Sequence, residues 1–216
     1  MKKKIGCLHA HYSNIDYIEQ AFQSFQDIEL KHFVDPGLIL HVAKGTGGLS
    51  LKVKEQVEWI ASCDVDAILI TCTNYIALLQ EDQLSLSIPM IKIDEPFFKT
   101  ICEVTQPQII LFTNPATVDG TMERLYQYAK LHNKSINVQA QVIANTFELI
   151  MQGEKQAYNN AILQYFREIM NDNLFISVAQ LSMVEAAQQF ENEFDMTIIH
   201  PLRSLVEFVK KLDSRR

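Results

Sequence analysis

The apolar residues of this chain fall into short runs and helical stripes that alternate from one end to the other. Residues 4–9 form a strand-length run that ends in the polar loop His11-Tyr12-Ser13-Asn14. Ile15, Ile18, Ala21, Phe22 and Phe25 then recur at near-helical spacing, which predicts a helix over 15–25 with Ser13 or Asn14 as its N-cap. Residues 28–34 read as a second strand, closed by the turn signal Asp35-Pro36-Gly37. Residues 38–48, with Gly45-Thr46-Gly47-Gly48 at their end, read as a mobile loop, and 50–63 as an amphipathic helix carrying Val53, Val57, Trp59 and Ile60.

The next stretch organises the rest. Val65, Ala67, Ile68, Leu69 and Ile70 suit a strand buried on both faces, as in a parallel sheet. The pattern turns polar at Thr71-Cys72-Thr73-Asn74 and resumes as a helix over 75–83. The polar group therefore falls at the carboxyl edge of a sheet, where ligands of open α/β folds bind. A thiol just ahead of a helix start has backbone N–H donors and the positive end of the helix dipole nearby, and both favour thiolate. Cys72 is the leading candidate for a chemical group.

After a strand at 88–93 and a helix at 97–104 the plan repeats. A strand at 108–112 leads into Thr113-Asn114-Pro115-Ala116-Thr117, then a helix at 118–131, a strand at 136–143 and a long helix at 146–170. A strand at 174–178 runs through Ala179-Gln180-Leu181-Ser182 into a short helix at 183–190. A strand at 196–199 and a helix at 202–212, separated by His200-Pro201, complete the chain. Regular alternation of this kind predicts α/β with mainly parallel sheets in two similar halves.

Composition narrows the function. Of the 216 residues 48% are hydrophobic, with no apolar stretch near membrane-spanning length, so neither a membrane span nor a signal peptide is expected and a cytoplasmic protein is the default. A formal net charge of −7 argues against nucleic-acid binding while leaving room for a small anionic ligand. Cys7, Cys63, Cys72 and Cys102 show no metal-binding spacing, so no metal site is expected. The GTGG run is neither GxGxxG nor a P-loop, since no GK[ST] follows.

Taken together, the Ile5-Gly6 first strand, ITCTN at 70–74, LFTNPATV at 111–118, ISVAQLSM at 176–183 and PLRSLVEFV at 201–209 resemble the aspartate/glutamate racemase superfamily, which includes hydantoin racemases, maleate isomerases and arylmalonate decarboxylases. The resemblance implies two pseudo-symmetric α/β lobes, residues 1–94 plus 200–216 and residues 95–199, with the active site in the cleft between them. It implies cofactor-independent chemistry at the α-carbon of a small carboxylate-bearing substrate, with a cysteine from each lobe moving the proton. It also implies a homodimer, although no apolar stripe here demands one. Cys72 matches the first-lobe cysteine, with Thr73 and Asn74 beside it as carboxylate donors; Thr113 and Thr117 match a substrate-binding pair of the second lobe. His9 stands where many racemases carry an acidic residue. The departure is Ala179, which takes the place of the second cysteine and cannot move a proton.

Blander readings stand beside these. Cys72 also fits a buried structural thiol, and Thr73, Asn74, Thr113 and Thr117 fit turn and cap residues. His9 and His11 share a face if the first strand continues past residue 9, and otherwise mark a polar strand end. Gln180 and Ser182 offer hydrogen bonds from the second half. His200 and Asp35 read first as structural. The leading expectation is a racemase or isomerase. Its alternatives are a single-cysteine decarboxylase or lyase, a carboxylate-binding protein that lost the chemistry, and, more weakly, a flavodoxin-like module.

Overall fold

The computed structural model describes residues 2–170 and 174–213. The chain divides into two compact units, Met1–Glu95 and Pro96–Arg216. Each is built on its own parallel sheet.

In the first unit the order is β1 (Lys3–His9), α1 (Asn14–Phe22), β2 (Ile28–Val34), α2 (Gly37–Ala43), α3 (Leu49–Ala61), β3 (Ala67–Ile70), α4 (Thr73–Leu78) and β4 (Met90–Lys92). The strands lie side by side as β2-β1-β3-β4, all parallel. Every residue of β3 is buried, as its unbroken apolar run requires. In β1, Gly6 admits a close approach by α3 and the residues after it: a Cβ at Gly6 would lie 2.9 Å from Ile60 Cγ2 and 3.4 Å from Val65 Cγ1.

The helix α5 (Asp94–Glu103) leads into the second unit, which continues with β5 (Gln108–Phe112), α6 (Val118–Leu131), β6 (Val138–Val142), α7 (Thr146–Met151), α8 (Lys155–Ile169), β7 (Phe175–Val178), α9 (Val184–Phe194) and α10 (Pro201–Asp213). Its sheet runs β6-β5-β7, again parallel. Alternate residues of β5 feed two separate cores. Ile109 and Leu111 pack with Tyr158, Ile162 and Phe166 of α8 and Phe190 of α9. Ile110 and Phe112 pack with Phe97, Phe98 and Ile101 of α5 and Leu125 of α6. The sheet is therefore covered on both faces.

Three local expectations change. The loop expected over 38–48 begins with α2, because Pro36-Gly37 starts a helical turn that buries Leu38. The long helix expected over 146–170 is broken between α7 and α8 at Gly153, whose φ of 79° ends one helix before the next can start. The strand expected at 196–199 is reduced to one parallel bridge, Ser177 to Ile199.

Residues 200–216 were expected with the first lobe; of these, 214–216 lie outside the described residues. The bonds of α10 include a two-pronged Arg203–Glu191 pair to α9, with both N···O distances at 2.6 Å, and Thr100 Oγ1 to Ser204 Oγ at 3.0 Å. Just before α10, His200 is buried; its Nδ1 accepts from Arg203 N at 3.2 Å, while its Nε2 has no hydrogen-bond partner among the described residues. Burial and then the Arg203 charge lower its pKa from 6.5 to about 4. His9, at the end of β1, is lowered to about 4 by burial and then by His32.

Two outcomes follow for stability. Gly6→Ala forces Ile60 or β1 to shift and is expected to cost about 1–3 kcal/mol, read as a lower urea midpoint at unchanged slope. The two histidines bind protons in the unfolded chain at a higher pH than in the folded one. Their contribution is intact above about pH 6.5 and is lost as the pH falls toward 4, by on the order of 3 kcal/mol each at most. Urea midpoints between pH 7 and 4 measure the loss, and His200→Gln should flatten it.

Candidate active site

In the first unit, parallel pairing brings the carboxyl ends of β1 and β3 together. Leu8 pairs with Ile70, so His9 and Thr71 leave the sheet side by side. Cys72 follows at the N-cap position of α4, extended at φ −119° and ψ 124° and partly exposed. Thr73 and Asn74, in the first turn of α4, are partly exposed beside it. Tyr75 is buried and donates to Gln56 Oε1 at 2.9 Å. Burial raises its pKa above the ordinary phenol value, followed by Asp35 and then Cys72, so each of these two lies within electrostatic reach of the Tyr75 phenol. Asp35 also receives Gly37 N at 2.9 Å and pairs with Lys52 at 3.3 Å, adding a charged group to its role in the turn.

The other thiols are placed differently. Cys7 is buried in β1 and pushed up to about 12, by burial and then by Glu19. Burial also raises Cys102. Cys63 lies past the end of α3, where Sγ meets Trp59 O at 3.3 Å.

Behind the edge runs a chain of hydrogen bonds. Thr71 Oγ1 is 2.8 Å from His9 Nδ1; His9 Nε2 is 2.8 Å from His32 Nδ1; His32 Nε2 is 2.9 Å from Glu19 Oε1. The outer end fixes its sense when both rings are neutral. A carboxylate only accepts, so His32 donates from Nε2, His9 donates from Nε2 to His32, and Thr71 donates to His9. If His32 takes up a proton, the inner bonds can reverse, and Thr71 turns its hydroxyl to Leu8 O, 3.1 Å away. The chain thus links Glu19, whose side chain is 57% exposed, to the residue that precedes Cys72.

Cys7, His9 and His32 bring ligand-type atoms within 4.8 Å of one another, the one such group with metal-ligand chemistry found among the described residues. They fit an ion poorly as they stand. Two ring nitrogens 2.8 Å apart are joined by a proton, which an ion would have to displace, and Cys7 would have to ionise against its burial.

The polar cluster of the second unit centres on Gln180. Its Oε1 accepts from Thr113 N at 2.8 Å, Thr113 Oγ1 at 2.7 Å and Asn114 N at 3.3 Å. Its Nε2 donates to Thr117 Oγ1 at 3.1 Å. Thr113 Oγ1 is 3.0 Å from the buried Tyr158 hydroxyl, which in turn is 2.7 Å from Ser182 Oγ. Ala179 is partly buried at the end of β7, packed against the Phe97–Phe112 core.

Among the residues singled out in the sequence, His9, Cys72, Thr73 and Asn74 share one edge, and Thr113, Thr117, Gln180 and Ser182 share one hydrogen-bonded cluster. His11 stands apart. The strand stops at His9, so the alternation fails; His11 is exposed and bonds Ser13 Oγ at 2.7 Å, while His9 is wholly buried. His32, Glu19 and Tyr158 escaped the sequence reading. The signal for His32 lies in the register, which sets it opposite Cys7.

No family model and no curated protein matches the chain. Solved structures do. Aspartate racemase from Picrophilus torridus superposes with a TM-score of 0.72 at 10% identity, over 97% of this chain and 93% of that one. Allantoin racemase from Klebsiella pneumoniae gives 0.70 at 17% identity, over 99% and 88%. Glutamate racemase from Francisella tularensis, in complex with D-glutamate, gives 0.66 at 13% identity, over 98% and 80%. The chain therefore shares the fold of these racemases, two parallel sheets flanked by helices, over nearly its full length.

Proposed function

We propose that this chain is a cofactor-independent enzyme of the racemase type that acts at the α-carbon of a small carboxylate-bearing substrate, with Cys72 as its acid/base or nucleophile. The observation that carries the reading is the place of Cys72. It is a partly exposed thiol at the carboxyl edge of a buried parallel sheet, ahead of a helix start, on the fold that the racemases share. Backbone N–H donors and the positive end of the dipole at a helix start both favour a thiolate.

In this reading the Cys72 thiolate removes the α-proton, and Thr73 and Asn74 hold the substrate carboxylate. Donors on that carboxylate stabilise the enolate-like intermediate, without which the barrier is out of reach. The Thr71–His9–His32–Glu19 chain would serve as a proton reservoir behind the thiol. Thr113, Thr117, Gln180 and Ser182 would shape the substrate site of the second unit. Ala179 offers no second thiol, so a proton taken by Cys72 returns to the same face. Exchange with solvent, or decarboxylation followed by protonation, suits one thiol better than inversion does.

A second reading is a protein that binds carboxylates without turning them over. Ala179 favours it, since the residue where the resemblance sets a second acid carries none.

One experiment separates the two. D- and L-amino acids, hydantoins, maleate and arylmalonates are incubated with the protein in deuterium oxide, and α-deuterium and product are followed by NMR. The enzyme reading expects incorporation or turnover with at least one class, reduced by about 10²-fold or more in Cys72→Ala. Binding with neither, across the panel, establishes the second reading.

A further inference from the structure

Three donors on one neutral oxygen is an unusual count. The side-chain carbonyl of Gln180 has two lone pairs, yet Thr113 N, Thr113 Oγ1 and Asn114 N all reach it within 3.3 Å. The oxygen's identity is not in question, because backbone N–H groups only donate and an amide nitrogen could not stand there. At the other end of the carboxamide, Thr117 Oγ1 donates to Asn114 O at 2.9 Å, which leaves it free to accept from Gln180 Nε2. The hydroxyls behind Thr113 can align the same way. Ser182 can donate to Tyr158, Tyr158 to Thr113, and Thr113 to Gln180, so that each proton points toward the same oxygen and each bond polarises the next.

Such convergence suits negative charge. A carboxylate presents about four acceptor sites on two oxygens, and its hydrogen bonds are charge-assisted and roughly twice as strong as those of a neutral carbonyl. The donors are fixed by the fold: Thr113 follows directly on β5 and is 2% exposed, and Tyr158 is wholly buried in α8. Their occupant is not fixed in the same way. Gln180 is a partly exposed side chain on the loop after β7, held through its carboxamide alone, and Asn114, Thr117 and Ser182 are partly exposed around it.

We propose that Gln180 is an internal stand-in for a ligand: its carboxamide fills a cradle matched to a carboxylate, and a small acid binds the second unit by displacing it. The proposal rests on the reading that this chain handles small carboxylates, and it makes Gln180 the residue that sets how tightly and which acids are held. An acid must outcompete a side chain that is always present, so apparent affinity is reduced by the fraction of molecules in which the cradle is closed. A ligand amide gains nothing over the resident one, whereas a carboxylate gains charge-assisted bonds.

The test needs no turnover. Gln180→Glu keeps the reach of the side chain and puts a carboxylate in the cradle. It is expected to melt about 2–4 °C above the wild type at pH 7 to 8, with the gain disappearing as the pH falls below about 4 and the introduced carboxyl protonates. Gln180→Ala empties the cradle. It is expected to bind acetate and D-glutamate at least about tenfold more tightly than the wild type by ligand-observed NMR and calorimetry, a gain that a second change, Thr113→Val, should remove. Gln180→Asn, too short to reach all three donors, supplies the same comparison if the alanine variant does not fold. A Gln180→Glu protein no more stable than the wild type at neutral pH overturns the proposal, and so does an emptied cradle with no gain for carboxylates. Failure of deuterium exchange would overturn the enzyme reading alone, because melting and binding do not depend on Cys72.

Discussion

A parallel strand covered on both faces can show polar groups only where it ends. Its side chains alternate between two apolar layers, and its backbone is consumed by the ladder, so chemistry is confined to the loops at its carboxyl edge. Here β3 is buried throughout and gives way to Thr71 and Cys72. In the same way β5 is buried throughout and gives way to Thr113 and Asn114. The covering layers come from amphipathic helices, α5 and α6 on one face of β5, α8 and α9 on the other. With both layers in place, the backbone positions at the strand ends are set to within the tolerance of a packed core.

The two edges are equipped differently. The first holds titratable groups in series, from the exposed Glu19 through two imidazoles to a hydroxyl next to a thiol. It can store and pass a proton. The second holds hydroxyls, a carboxamide and backbone N–H groups, with the Tyr158 phenol as the titratable member of its bonded cluster. It can bind an oxygen ligand and direct dipoles at it. The first edge is rich in titratable groups and the second in neutral donors and acceptors, although the two units share a plan of strand, polar loop and helix.

Much of this was legible in the residues. Unbroken apolar runs gave the buried strands, and the abrupt change at Ile70–Thr71 marked the edge that carries Cys72, because burial on both faces leaves a strong compositional trace. Single-residue conformation left less. Gly153 at φ 79° divides a helix that the apolar stripe alone reads as continuous, and Gly37 lies inside the start of α2 although Pro-Gly usually signals a turn. The histidine chain was hidden for another reason. Cys7 and His32 are 25 positions apart, and only the register of β1 on β2 places them opposite each other. His11 misled in the reverse sense, since alternation applies only while the strand lasts, and β1 stops at His9. Gln180 was visible as a donor or acceptor, but that its oxygen is the focus of the second cluster depends on distances no pattern encodes.

In the proposed reading, the absence of a thiol at residue 179 limits the chemistry more than the presence of Cys72 extends it. Inversion at a carbon requires proton removal from one face and delivery to the other, hence two acids or an intermediate that turns over. The Glu19–His32–His9–Thr71 chain adds titratable groups to the edge that already has a thiol. The titratable member of the other cluster, Tyr158, is wholly buried, its oxygen bonded between Thr113 and Ser182. To deliver its proton it would have to break the hydroxyl chain that polarises Thr113. Reactions that remove and return a proton on one side, or that lose carbon dioxide and then take up a proton, need no such break. They are the chemistry that the proposed reading favours.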